Sequence, residues 1–274
     1  MQKKWIILGR QQMGQLGKFK AKAIIFDKDG TLIDFDAMWG SWAVFLADQL
    51  HQASRLHVRA PLCAAMGYDE ETQKVLAHGK LAAMPMAQLY RLTVEVMQSL
   101  GLNPAAAERV VENCWRIPDP VLLAKPFTDL RDLFSKLQNE NIKIAIATAD
   151  DRAPTQAMIE AFDIEEYISG MVCADDGIPS KPAPDMVLAI CERINIHPSK
   201  TMVIGDTVSD LKMARAAGAG LCVGVLSGVS SAKDLSQYAD VLIESINELH
   251  IHIQELADQK SLQTKNGLNP DFAF

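Results

Sequence analysis

Two kinds of segment alternate along most of this chain. Short runs rich in β-branched residues, each closing on Asp, Thr or Gly or leading into a polar turn, read as buried parallel strands. They are Ala23–Phe26, Ile142–Thr148, Met171–Cys173, Thr201–Ile204 and Leu221–Val225, with Val241–Ile243 as an edge strand. Helical patterns lie between most of them. Leu130, Leu133, Phe134 and Leu137 recur at helical spacing across Asp129–Asn139. Pro154–Phe162 and Pro184–Ile194 open on proline, whose fixed φ and missing N–H suit a first helical turn. Val208–Ala217 stops at Gly218, which can supply a left-handed cap. Strand–helix–strand repetition predicts an α/β fold, a doubly wound parallel sheet with helices on both faces.

Residues 35–120 break this rhythm. Asp36–Arg55, Val58–Met66, Asp69–Leu76, Pro85–Leu100 and Pro104–Ile117 all carry helical periodicity, with no strand-like run between them. They predict an all-helical cap inserted between the first strand and the second. Asp34–Asp36 would be its entry hinge, and Pro118, Pro120 and Pro126 stiffen its exit. A module beside a strand end suits a lid, or equally an ordinary helical subdomain. The α/β core then comprises residues 21–34 and 121–254, with an N-terminal extension over 1–20 and a polar tail over 255–274.

Composition narrows the class. A chain of 274 residues that is 49% apolar and 22% charged folds as a globular protein, of about two domains at ~150 residues each. Cys63, Cys114, Cys173, Cys191 and Cys222 are scattered and form no CxxC pair. That argues against a disulfide framework or zinc site and for a reducing compartment. No segment is long and apolar enough to span a membrane. Residues 1–26 carry six Lys or Arg and no acid. This leaves a mitochondrial transit segment open beside a cytoplasmic location, although the lack of Ser and three glycines favour a plain extension. The spacing of Gly9, Gly14 and Gly17 does not fit a dinucleotide loop. His250 and His252 lack a third metal ligand nearby. The net charge of −7 repels nucleic acid and anionic membranes, so an anionic ligand would need a cation in its site.

Such a site is readable where parallel sheets bind ligands, at the C-terminal ends of the strands. Strand one runs into Asp27-Lys28-Asp29-Gly30-Thr31, and strand two into Thr148-Ala149-Asp150. A later loop holds Ser180-Lys181-Pro182. Thr201–Ile204 leads into Gly205-Asp206-Thr207-Val208-Ser209-Asp210. Crowded carboxylates demand a cation, and oxygen ligands without His or Cys select Mg²⁺. Lys181 adds a second positive charge, Thr148 offers a donor to a phosphoryl oxygen, and the amides after Asp27 can form an anion nest.

These four motifs, in this order, resemble those of the haloacid dehalogenase superfamily, in particular its phosphatase branch, over about Ala21–Leu249. The helical insert resembles the cap of the phosphoglycolate phosphatase-like group. The resemblance implies a Rossmann-like core and a Mg²⁺-dependent phosphatase of a small phosphorylated metabolite. Phosphoglycolate-like acids, sugar phosphates and nucleoside monophosphates all stay open as substrates. It implies Asp27 as nucleophile, forming an aspartyl-phosphate, and Asp29 as acid and base, raised by neighbouring carboxylates. Asp27, the Asp29 backbone carbonyl and Asp206 would hold the metal. Asp210 would stand behind them, orienting metal waters or Lys181. Lys28 departs from the pattern, since a hydrophobic residue is commoner there. It is not assigned to catalysis, and its charge is counted with the phosphate-binding set of Thr148, Ala149 and Lys181, free to touch the cap. Ala149 replaces the usual Asn, but its amide remains. The acid at Asp29 favours phosphoester hydrolysis or phosphoryl transfer over dehalogenation. A phosphomutase of the beta-phosphoglucomutase type and a non-catalytic phospho-ligand-binding protein are the alternatives. Neither nucleic acid nor membrane is an expected partner, and the oligomeric state is a monomer or homodimer.

Overall fold

The computed structural model describes residues 19–76, 79–84, 86–116 and 124–249. Residues 1–18 of the expected extension over 1–20, Pro118, Pro120, His250, His252 and the polar tail lie outside them. Two units emerge, one formed by Met1–Leu32 with Pro126–Phe274 and the other by Ile33–Lys125.

The first unit is built on six parallel strands: β1 (Ala23–Phe26), β4 (Lys143–Ala147), β5 (Ile168–Val172), β6 (Thr201–Gly205), β7 (Leu221–Val225) and β8 (Val241–Ile243), in the order β5-β4-β1-β6-β7-β8. All four residues of β1 are buried, as a central strand covered on both faces requires. Ile25 lies between Ala145 of β4 and Val203 of β6. The chain steps outward from β1 in one direction through β4 and β5, then in the other through β6, β7 and β8. The ends of β1, β4 and β6 therefore meet where strand order reverses, the usual ligand position in such sheets.

The helices of this unit follow their sequence signals. Leu130–Asn139 (α6) buries Leu130, Leu133, Phe134 and Leu137, and the Asp129 carboxylate caps it by accepting from the Asp132 amide. Burying side chains of this size contributes roughly 1.5–3 kcal/mol each. Arg152–Ala161 (α7) starts two residues ahead of Pro154, which still falls among the first-turn positions that need no N–H. Asp185–Ile194 (α8) and Val208–Ala217 (α9) pack in the same core cluster, and Gly218 ends α9 at φ 75°. Strand β5 begins three residues earlier than the apolar pattern predicts. Ser169 and Gly170 look turn-like, yet Gly170 leaves room for Ile194 and Ile190 to pack against the strand.

The second unit holds α1 (Ser41–Ser54), α2 (Arg59–Met66), α3 (Lys80–Ala83), α4 (Met86–Ser99) and α5 (Pro104–Cys114). Its core joins Trp42, Leu46, Leu50, Leu62, Met66 and Val111, and the Trp42 indole N–H donates to the Arg116 carbonyl. Two expectations fail here. Asp36–Gly40 forms a π turn rather than the first turn of one continuous α-helix, with the Asp36 carboxylate accepting from the Val75 amide. The helix expected over Asp69–Leu76 is instead a hairpin of β2 (Tyr68–Asp69) and β3 (Lys74–Val75), so the unit is not wholly helical. Asp69 accepts from the Glu71 and Thr72 amides, and Gln73 takes φ 54°. A short acidic side chain that satisfies local amides competes with a helix. Arg59 pairs with Glu70 at 2.6 Å inside this unit. No described helix is long and apolar enough to cross a membrane, and all five cysteines are buried and unpaired.

Candidate active site

The end of β1 delivers Asp27, whose amide donates to the Ile204 carbonyl of β6 and so ties the two strand ends. The end of β6 delivers Asp206, followed by a helix start that fixes Asp210. There, Thr207 Oγ1 accepts from the Asp210 amide and Asp210 Oδ2 accepts from the Thr207 amide, a capping box. Carboxylate oxygens of Asp27, Asp206 and Asp210 lie within 4.8 Å of one another. Lys181 reaches in from the loop before α8, with Nζ 2.5 Å from Asp27 Oδ1 and 2.6 Å from Asp210 Oδ1.

Glycines make the approach feasible. A Cβ on Gly30, which sits at φ 83°, would come within 2.5 Å of Asp206 Oδ2, and a Cβ on Gly228 would overlap the Asp206 carboxylate outright. No sequence motif marks the segment around Gly228. Its Val229 amide donates to Asp206 Oδ2 at 2.9 Å, and Ser227 Oγ donates to the Gly30 carbonyl. The only local signal was a Gly–Ser-rich turn after a buried strand. Gly228→Ala is expected to lower stability by about 1–3 kcal/mol through overpacking and to cut activity, read by urea unfolding and by phosphate release. A variant matching the parent in both would show that this contact does not hold Asp206.

The cluster is short of positive charge. Three carboxylates face one ammonium, leaving a formal −2. Burial, followed by the Asp210 charge and opposed by Lys181, pushes Asp27 up to about 7. Burial first, then Asp27 and Asp210, holds Asp206 well above the usual carboxylate range. Burial disfavours the Lys181 charge, but Asp210 and Asp27 outweigh it and raise the lysine. Asp206 Oδ1 is buried with no hydrogen-bond partner among the described residues. An all-oxygen donor set, an unpartnered buried oxygen and this charge deficit fit a hard divalent cation such as Mg²⁺. Asp210 spends one oxygen on Lys181 and the other on Thr207, so its geometry suits orienting Lys181 rather than primary ligation.

Thr148, at the end of β4, is buried, and its Oγ1 accepts from the Asp150 amide at 3.1 Å. Its hydroxyl hydrogen is left to donate elsewhere. Ala149 is exposed at the same strand end.

Asp29 and Lys28 depart from expectation. The Asp29 side chain is outside the three-carboxylate cluster; its oxygens lie 2.8 and 2.7 Å from Lys28 Nζ. Its closest charged partner is an ammonium rather than another carboxylate, and the metal contact expected of it is a backbone one. Lys28 is not presented for phosphate binding: Nζ is buried and also pairs with Asp150 at 3.0 Å. Two carboxylates of its own unit take its charge. Burial opposes that charge, but Asp29 and Asp150 prevail and push Lys28 up to about 12.

Comparison with known proteins places this geometry. A phosphorylated carbohydrates phosphatase from Thermotoga maritima is 24% identical over 228 residues, 83% of this chain and 96% of that protein. A phosphoglycolate phosphatase from Escherichia coli K12 is 35% identical over 126 residues, 45% of this chain and 49% of that protein, so this likeness spans about half of each. Among solved structures, a subfamily IA hydrolase from Geobacter sulfurreducens aligns with TM-score 0.60 at 18% identity, covering 86% of this chain and 97% of that one. A Thermotoga maritima protein provisionally named beta-phosphoglucomutase gives TM-score 0.61 at 21% identity, covering 86% and 98%. These two share the fold. The haloacid dehalogenase-like hydrolase family matches residues 21–218. That span takes in every site residue from Asp27 to Asp210, and the chain is a member of the haloacid dehalogenase-like hydrolases.

Proposed function

We infer that this protein is a Mg²⁺-dependent phosphomonoesterase acting on a small phosphorylated metabolite, a phosphorylated carbohydrate or short phospho-acid in the first instance. The observation that carries the reading is the buried cluster of Asp27, Asp206 and Asp210 with Lys181 on its edge and one Asp206 oxygen unpartnered. The names of the curated relatives support the substrate class.

Asp27 and Asp206, with the Asp29 carbonyl, would hold the ion. When bound, it screens the repulsion between carboxylate and phosphate and anchors a phosphoryl oxygen. Asp27 attacks phosphorus with the oxygen not engaged by Lys181, and the phosphorus–oxygen bond to the leaving alcohol breaks. Asp29 gives its proton to the departing oxygen. Water then attacks the aspartyl-phosphate and loses a proton to Asp29, releasing inorganic phosphate and restoring the Asp27 carboxylate. Lys181 and the Thr148 hydroxyl stabilise the charge spreading over the phosphoryl oxygens.

The test is a panel of phosphorylated metabolites incubated with Mg²⁺, scored for both inorganic phosphate and isomerised sugar phosphate. Phosphate release from at least one carbohydrate phosphate or phospho-acid is expected. Isomerisation without release would replace the hydrolase by a mutase, and neither product would remove the catalytic reading.

A further inference from the structure

We propose that Lys28 is a positioning residue that ties Asp29 to the loop after β4, holding the acid–base carboxylate and the Thr148 phosphate loop in one fixed frame. This deepens the phosphatase reading and rests on it. The geometry is specific. Nζ of Lys28 meets both oxygens of Asp29 and one oxygen of Asp150, while its side chain is only 3% exposed against 22% for Asp29 and 33% for Asp150. The ammonium thus lies beneath two carboxylates that reach further towards solvent. From Asp150 the path continues through its amide to Thr148 Oγ1. The Asp150 carbonyl accepts from the Ala174 amide, and its Oδ1 accepts from the Asp151 amide, so the loop end is itself anchored. A buried ammonium is costly unless its donors are satisfied, and here two carboxylates from two strand ends satisfy it. A hydrophobic residue at this position could not form the tie.

The role predicts a particular kinetic fault. With Lys28→Met, Asp29 loses its hold while Asp27, Lys181 and Asp206 keep theirs. A 1 Å misplacement of a reacting group can cost about 100-fold. With p-nitrophenyl phosphate the leaving nitrophenolate needs no proton, so formation of the aspartyl-phosphate survives. Water attack, which needs Asp29 to take a proton, slows. The expected record is a burst of about one equivalent of nitrophenolate per active site, then a steady state about 10- to 100-fold below the parent. An alkyl phosphate, whose alkoxide must be protonated to leave, shows no burst. Asp150→Asn cuts the other end of the tie at a more exposed site and gives the same pattern in milder form. The double variant is no slower, and melts no lower, than Lys28→Met alone.

Turnover within twofold of the parent in both folded single variants would overturn the proposal. So would loss of the burst together with the steady state, which places Lys28 at phosphate or at Asp27. If Lys28→Met does not fold, the Asp150→Asn burst decides by the same criteria. A parent protein inert towards every phosphate ester sinks the phosphatase reading instead. Melting temperatures then judge the tie alone: shifts that do not add support it, and fully additive shifts refute it.

Discussion

Asp27→Asn is expected to lose at least about a thousand-fold in phosphate release from any substrate the parent accepts, with no burst of leaving group. Removing a nucleophile outright commonly costs that much or more, because the remaining groups cannot replace the missing bond-forming atom. The amide of Asn keeps the shape but not the anionic oxygen that attacks. The fold has no reason to suffer. Asp27 is one of three carboxylates crowded around one ammonium, so its neutralisation relieves repulsion, and Lys181 keeps Asp210 at 2.6 Å. Circular dichroism and melting in EDTA should therefore show a protein at least as stable as the parent. A folded Asp27→Asn variant within tenfold of the parent rate would assign the nucleophile to another group.

The contrast between Asp27 and Lys28 shows what sequence order could and could not reveal. The strand ends were legible because a buried parallel strand announces itself as a short β-branched run, and the residue after it must lie at the ligand-binding edge of the sheet. Asp27, Thr148 and Asp206 follow from that rule alone. Asp210 comes only with the family resemblance; the capping box that it closes with Thr207 is a finding of the structure. The second partner of Lys28 was not legible, because Asp150 lies 122 residues away and nothing local names the carboxylate that a buried lysine will meet. Gly228 escaped for the same reason: the atom it makes room for belongs to a different loop. In the second unit, Asp69-Glu70-Glu71-Thr72-Gln73-Lys74 has the charge and polarity of an exposed helix face. The Asp69 side chain, by capturing the Glu71 and Thr72 amides, ended the helix before it began. Periodicity sees apolar faces and is blind to such captures in a segment only a few residues long.

In EDTA, the protein should become less stable as pH rises from about 4 to about 7, and Mg²⁺ should reverse the loss. Asp27 carries the argument. Its value in the folded chain is about 7 against an ordinary 3.8, chiefly through burial, with the Asp210 charge adding to it and Lys181 opposing. Between those values the folded chain holds a proton that the unfolded chain has released, so each step up in pH favours unfolding. The stabilisation is complete below the ordinary value and gone once pH passes the folded one. A gap of that size corresponds to about 4 kcal/mol. Asp206 moves in the same direction for the same leading cause. Asp176, held low first of all by its hydrogen bonds with Arg152, loses stability only as pH falls below the ordinary carboxylate value, outside this window. Cation binding needs the ionised carboxylates, so saturating Mg²⁺ should stabilise the protein more at pH 8 than at pH 5. At 100 times the dissociation constant the gain is about 2.7 kcal/mol. Asp206→Asn, which removes one like charge, should flatten the decline in EDTA and blunt the Mg²⁺ response together. Urea midpoints across pH 4.5 to 8, with and without Mg²⁺, measure all three. A midpoint in EDTA that holds steady or climbs through this range would mean that Asp27 and Asp206 are not held as buried carboxylates short of positive charge, and the case for a divalent ion between them would go with it.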